Sequence, residues 1–218
     1  HHIYANGIDV LAGFIVGFDN DTLATFDRQR EFIMASGIQS AMIGLLHALP
    51  RTPLYERLQR DGRIRELGED CDNTGAGTNV VPKRMDYDEM VQQYKMLYFD
   101  LLTDDAIGER VRNKRRHMRD PLYGGGFTTR ETTQIVWRLL VRGILPGGPR
   151  RWRAFVRSMP WRSPGDIPWV MSDWIIALSM ADFARRRLAP VAARSVAERW
   201  LGEVPWKAAP SDPTSSLR

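Results

Sequence analysis

Two apolar runs at either end of one helical segment constrain this chain more than any other feature. Gly13-Phe14-Ile15-Val16-Gly17-Phe18 is β-branched and aromatic, sets glycines four apart and closes on Asp19-Asn20-Asp21. That is the pattern of a buried strand ending in a sharp turn. Asp21 is placed to cap a helix over residues 22–36, where Leu23, Phe26, Phe32 and Ile33 keep near-helical spacing and Ser36-Gly37 supplies the stop. A second run, Ala41-Met42-Ile43-Gly44-Leu45-Leu46, closes in Pro50-Arg51-Thr52-Pro53. Strand, helix, strand at this separation is a βαβ unit, right-handed in about 98% of cases, with its two strands parallel in one sheet.

Parallel strands belong to larger sheets, buried on both faces. Nothing after Pro53 supplies further strands of comparable quality, so the sheet is expected to be incomplete. The chain opens at His1-His2-Ile3-Tyr4 without an initiator Met, as if in the last turns of a helix. The expectation is the C-terminal piece of a longer α/β protein, with the other strands lying before His1.

The remainder reads as helical. Residues 53–65 carry Leu54, Tyr55, Leu58 and Ile64 on one face, with Asp61-Gly62 weakening the end. Residues 68–78 are polar and glycine-rich, a loop whose acidic cluster around Cys71 lacks the alternation and terminal Glu of a calcium site. Asp86 caps a long helix striped by Met90, Val91, Tyr94, Leu97, Tyr98 and Leu101. Between Glu109 and Arg119, Arg110, Arg112, Lys114, Arg115, Arg116 and His117 crowd together, which reads either as a solvated face or as an anion contact. Gly124-Gly125-Gly126 is a linker, because no strand precedes it and no Lys-Ser or Lys-Thr follows. Thr128 and Glu131 form a capping box for a helix that Gly143 stops, and a further helix covers residues 150–159. The Trp-rich run 167–180 carries Asp173 and is too short to span a bilayer. Residues 210–218 have the composition of a disordered tail.

Hydrophobic content of 43% and charged content of 26% are those of a globular protein. The net charge of +5 favours anionic partners of any kind. One cysteine excludes an internal disulfide and fits a reducing compartment. Nucleic acid is the weaker expectation for the basic block, since no helix-turn-helix, zinc spacing or RNA-binding aromatic signature accompanies it. There is no Ser-His-Asp set, metal spacing or GxGxxG loop opening a helix. His47, at the end of the second strand, is a lone histidine and reads as structural.

Residues 13–19, the helix after them, and Leu45-Leu46-His47-Ala48-Leu49-Pro50-Arg51-Thr52-Pro53-Leu54-Tyr55 resemble the fifth and sixth strands of a radical S-adenosylmethionine barrel. More narrowly, they resemble the cobalamin-binding-domain radical SAM proteins, the group that includes hopanoid methylases. Asn79-Val80-Val81-Pro82-Lys83, and Ile135-Val136-Trp137-Arg138 through Gly143-Ile144 with Arg150, Arg151 and Trp152, resemble the C-terminal domain of unknown function of that group. Two departures stand out. The family's glycine between Pro and Thr after the sixth strand is Arg51 here, and the three cysteines that hold the iron–sulfur cluster are missing, Cys71 being alone.

The resemblance implies an α/β fragment, the end of a partial parallel barrel, over residues 1–66. A loop and long helix with the basic segment would cover 67–120, a mainly α-helical domain 121–205 and a tail 206–218. It implies a wall for the adenosyl group of S-adenosylmethionine built from Gly13, Ile15 and Gly17, with Leu46 and Ala48 beside them. For the full-length enzyme it implies an iron–sulfur cluster and cobalamin, methyl transfer to an unactivated carbon of a small-molecule or lipid substrate, and a cytoplasmic location. The alternative, from a different class, is a non-catalytic helical module meeting membrane lipid or an acidic partner through its Arg and Trp faces.

Overall fold

A computed structural model of the 218-residue chain describes residues 1–65, 77–121 and 128–188. The loop around Cys71, the triple-glycine linker and the C-terminal tail lie outside them. The described residues are mainly helical around one small sheet. A short helix α1 (His2–Ala5) leads into strand β1 (Leu11–Val16), helix α2 (Ala24–Ser36) and strand β2 (Ser40–Leu45). Helices α3 (Pro53–Arg60), α4 (Tyr87–Leu101) and α5 (Asp104–His117) follow. Helix α6 (Thr129–Arg138) runs through a π-helical turn (Leu139–Ile144) and a 3₁₀ turn (Leu145–Gly147) into α7 (Gly148–Ser158) and finally α8 (Ile167–Leu188).

β1 and β2 pair in parallel, with Gly13 opposite Met42 and Ile15 opposite Gly44. The βαβ unit is therefore present, and among the described residues its sheet stops at two strands. The strands are not buried on both faces as expected. Val16, Ala41 and Ile43 are buried and Ala12, Phe14 and Leu45 pack beside them against Phe26 and Ile33 of α2, the α4 stripe and the end of α8. The opposite face is open. A second core lies between α5, the π-helical turn, α7 and α8, around Ile107, Val111, Phe155 and Trp174. Ala48, Leu58 and Val80 make a small third cluster under α3.

Local chemistry explains most helix ends. The Asp86 carboxylate accepts from the amides of Asp88 and Glu89, Thr52 accepts from Tyr55, and Thr128 with Glu131 closes the expected capping box. Asp21 behaves otherwise. α2 begins at Ala24 with no side-chain cap, and the Asp21 carboxylate instead accepts from the amides of Gly17 and Phe18, both at 2.9 Å. It folds the end of β1 back on itself because those amides have left the ladder and need an acceptor. Gly143 does not stop α6: the chain widens into the π-helical turn there, with Leu139 and Ile144 buried. Helix α3 ends at Arg60, short of residue 65, and Gly62 follows at φ 67°.

The basic block is the largest correction. It is solvated only in part: Arg115, Arg116 and Arg119 are exposed, whereas Arg110 and Lys114, one turn apart on α5, are both fully buried and bind groups of the protein's own fold. Arg110 donates to the carbonyls of Ile38 at 2.8 Å and Leu101, joining the loop before β2 to the end of α4. Lys114 Nζ meets Asp9 Oδ2 and Asp173 Oδ1, each at 2.8 Å, joining the entry to β1 with α8.

Candidate functional site

The open sheet face and the C-terminal ends of the two strands form the candidate site. On that face Leu11 is 70% exposed, Met42 59% and Ile15 51%. Because side chains alternate along a strand, Leu11, Gly13 and Ile15 share this face, and the register sets Gly13 beside Met42 and Ile15 beside Gly44. A Cβ built on Gly13 or Gly44 meets nothing within 4 Å. Each glycine thus leaves a flat step of bare backbone next to a large apolar side chain of the neighbouring strand. That shape suits a planar, mostly apolar group laid across both strands.

The strand ends are held rigidly. Gly17 is buried at φ 112°, and a Cβ there would press against Leu46 Cβ at 3.3 Å, so glycine lets the two strand ends close on each other. The Leu46 amide continues the ladder to the Val16 carbonyl at 2.7 Å. Beyond β2 the segment has no neighbouring strand among the described residues, and Asn79 substitutes for one. Its side-chain oxygen accepts from the Ala48 amide at 2.9 Å and its nitrogen donates to the Ala48 carbonyl at 2.7 Å, while the Thr78 hydroxyl donates to the Leu46 carbonyl. Asp19, just past β1, receives Arg63 at 2.7 Å as well as Arg57. The hydrogen bond from Arg63, then that from Arg57, holds its carboxyl down at about 2. α3 and the segment after it are thereby tied across the strand ends.

The residues expected to form the adenosyl wall fall into two groups. Gly13 and Ile15 stand together on the open face. Gly17 and Ala48 are buried and Leu46 is half-buried, all at the strand ends, where they shape the rim and pack toward Leu58 and Val80. Met42 and Gly44 complete the open face and were not singled out from sequence, although alternation along Ala41–Leu46 combined with the strand register identifies them. Asn79 stands in the sequence only within the Asn79–Lys83 segment that resembles the C-terminal domain, and nothing local marks its side chain as a strand substitute. His47 is half-buried at the same end. Among the described residues no group of three His, Cys, Asp or Glu side chains could hold a metal ion.

A family model described as a domain of unknown function, DUF4070, matches residues 52–190. The chain belongs to the DUF4070 family. The matched stretch covers everything from the N-cap of α3 to past the end of α8, so β1 and β2 precede the DUF4070 region. Among curated proteins the chain is 48% identical over 62 residues to the hopanoid C-2 methylase of Rhodopseudomonas palustris, covering 28% of this chain and 12% of that protein. It is 30% identical over 109 residues to an uncharacterized methyltransferase of Synechocystis sp., covering 50% of this chain and 20% of the relative. It is 26% identical over 113 residues to the bacteriochlorophyllide d C-12(1)-methyltransferase of Chlorobaculum tepidum, covering 52% and 24%. The chain therefore spans no more than a quarter of the length of these relatives. The resemblance to the hopanoid-methylase-like group drawn from the sequence is shown by these matches together with the DUF4070 region. No solved structure matches the chain.

Proposed function

We propose that this DUF4070 chain is the C-terminal portion of a radical S-adenosylmethionine methyltransferase, and that the open face of β1 and β2 is part of the wall against which the adenosyl group lies. The observation that carries this reading is the juxtaposition of Gly13 and Gly44, with open space above both, against Ile15 and Met42. A buried helix-packing glycine would show neighbours; these two show none.

The sheet edges support the same reading. The outward-facing amide and carbonyl of Ile43 on β2 are both taken by the Tyr98 hydroxyl, at 3.0 and 2.9 Å, with Tyr94 adding a second donor to the carbonyl at 3.2 Å. That edge is sealed by α4. On β1 the matching Ile15 carbonyl meets a single side-chain donor, Gln29 Nε2, at a long 3.4 Å, so the β1 edge is the less sealed of the two and the one open to further strands. Strands joined there would extend the sheet on the side preceding β1 in the chain, as the end of a barrel requires.

The groups implied by this reading fit unequally. An adenine ring fits the glycine steps, with Ile15 and Met42 giving its faces apolar contact and excluding water. A cluster does not fit, since one cysteine cannot supply three thiolates. When bound and reduced, S-adenosylmethionine supplies a carbon radical; this chain's part is to hold the nucleoside end still. Asp21, Asn79 and Thr78 fix the strand-end backbone, and the Asp19–Arg63 pair keeps α3 across it.

The test is made in the longer polypeptide. Gly13→Val and Gly44→Val place side chains into open space, so the fold is retained, and each is expected to weaken S-adenosylmethionine binding at least about tenfold by equilibrium titration. Unchanged affinity in a folded Gly13→Val, Gly44→Val double variant would sink the proposal. Reading the coding sequence upstream of His1 should reveal a cysteine triplet; an open reading frame starting at His1 would refute the enzyme reading.

A further inference from the structure

The helical half carries a surface that neither core nor strand-end site uses. Residues 128–166 contain eight arginines, no lysine and two acidic residues. Along α6 and the π-helical turn, Trp137, Val141 and Leu145 follow at i, i+4 and i+8 and all are exposed, Trp137 at 66%. They lie opposite the buried Leu139 and Ile144 of the same stretch, so this helix is apolar on its solvent side as well as its core side. Arg138 and Arg142 run exposed one position along.

α7 repeats the arrangement. Trp152 is 45% exposed beside the exposed Arg153 and Arg157. Trp161, just past the helix end, is 67% exposed, yet its ring N–H donates to the Val156 carbonyl at 2.9 Å. The ring is pinned in an outward position. Among the described residues Arg138, Arg142, Arg153, Arg157 and Arg162 enter no ion pair, whereas Arg150 and Arg151 are matched with Asp105 and Asp104. Unmatched arginines interleaved with exposed tryptophans, Trp161 among them pinned outward, form a face complementary to negative charge at the surface of an apolar layer.

We propose that α6, the π-helical turn and α7 form an interfacial face that seats the protein on an anionic phospholipid bilayer, with the tryptophan rings at head-group level and the arginines on lipid phosphates. The face lies on the membrane and does not cross it: no described helix is long and apolar enough to span. Charge decides between possible occupants. A protein partner would meet this face with matched carboxylates, and a nucleic acid would leave the Trp137, Val141 and Leu145 stripe in water; a bilayer surface satisfies both components at once. The proposal stands independently of the adenosyl wall, which is on the other half of the chain.

The test is co-sedimentation of the 218-residue chain with vesicles of phosphatidylcholine, alone or with phosphatidylglycerol. Binding is expected to the phosphatidylglycerol vesicles, weakly or not at all to phosphatidylcholine, and to fall as salt is raised. Each arginine is worth about fivefold in partitioning, so Arg138→Gln, Arg142→Gln and Arg157→Gln together should lower it on the order of a hundredfold. Trp137→Ser, Trp152→Ser and Trp161→Ser together should abolish the blue shift of tryptophan fluorescence on vesicle addition. All six positions are exposed, and circular dichroism of the variants checks folding. No binding at low salt would overturn the proposal. So would wild-type partitioning by either folded triple variant, or tighter binding to duplex DNA or RNA than to the anionic vesicles.

Discussion

Gly37 and Arg51 show what single backbone positions demand in this fold. Gly37 ends α2 at φ 73°, and a Cβ there would overlap the Lys114 backbone nitrogen and lie 2.8 Å from the Arg110 carbonyl. The glycine is required both by its left-handed conformation and by the close passage of α5. Gly37→Ala is expected to cost at least about 2 kcal/mol in urea denaturation, since strain and overlap add. Arg51 occupies the opposite situation: a non-glycine residue at φ 67°, in the left-handed region that favours glycine. The loop keeps the conformation that glycine would adopt at no steric cost, at a penalty of about 1 kcal/mol. Arg51→Gly should therefore raise the unfolding free energy by roughly 0.5–1 kcal/mol, less the entropy glycine returns to the unfolded chain. Asn79→Ala removes both partners of the buried Ala48 amide and carbonyl. A loss of about 2–4 kcal/mol is expected, with amide exchange at Ala48 accelerating more than exchange in α4.

At the scale of elements, α5 is the pin that holds the molecule together. Its apolar residues Ile107 and Val111 face α7 and α8, and its charged residues Arg110 and Lys114 reach the strand unit. Asp173 is buried against Lys114, with one carboxylate oxygen left without a partner among the described residues. Burial pushes its carboxyl up to about 6, the attraction of Lys114 offsetting only part of the desolvation. The folded state therefore holds its proton over a range where the unfolded chain, near the ordinary aspartate value of about 3.9, has released it. This group's contribution is full below about pH 4 and is lost as pH rises through about 6, a fall of roughly 2–3 kcal/mol. Urea midpoints measured between pH 4 and 7 should show that decline, and Asp173→Asn should flatten it. Lys114→Met leaves Asp173 buried without its cation and is expected to cost about 3–5 kcal/mol near neutral pH, with the carboxyl titrating higher still.

Across the whole molecule, burial is uneven in a way that points outward. One sheet face is packed under α2 and α4, and the other presents Leu11, Ile15 and Met42 to solvent. The 218-residue chain alone should bind a hydrophobic dye such as ANS in part through this face, and Ile15→Thr with Met42→Thr should lower the signal without lowering stability, because neither side chain is buried; the signal that remains comes from Leu11 and the exposed Trp137 and Leu145 stripe. Much of the architecture was legible in the amino-acid order. The parallel strand–helix–strand unit, the caps at Asp86 and Thr128, the stop at Gly37 and the α4 stripe all depend on neighbours within a few residues, where periodicity and capping chemistry act. Half of the candidate site was legible too, since Gly13 and Ile15 sit two apart on one strand and must share a face. What the order alone could not assign is which sheet face stays open and which charges go inside. Asp9 and Asp173 stand 105 and 59 residues from Lys114, so nothing local distinguishes that lysine from the solvated arginines around it. Burial is a property of the partner that arrives across the fold, and only the tertiary structure brings the two carboxylates to the lysine, the tyrosines to the edge of β2, and nothing at all to the face above Gly13 and Gly44.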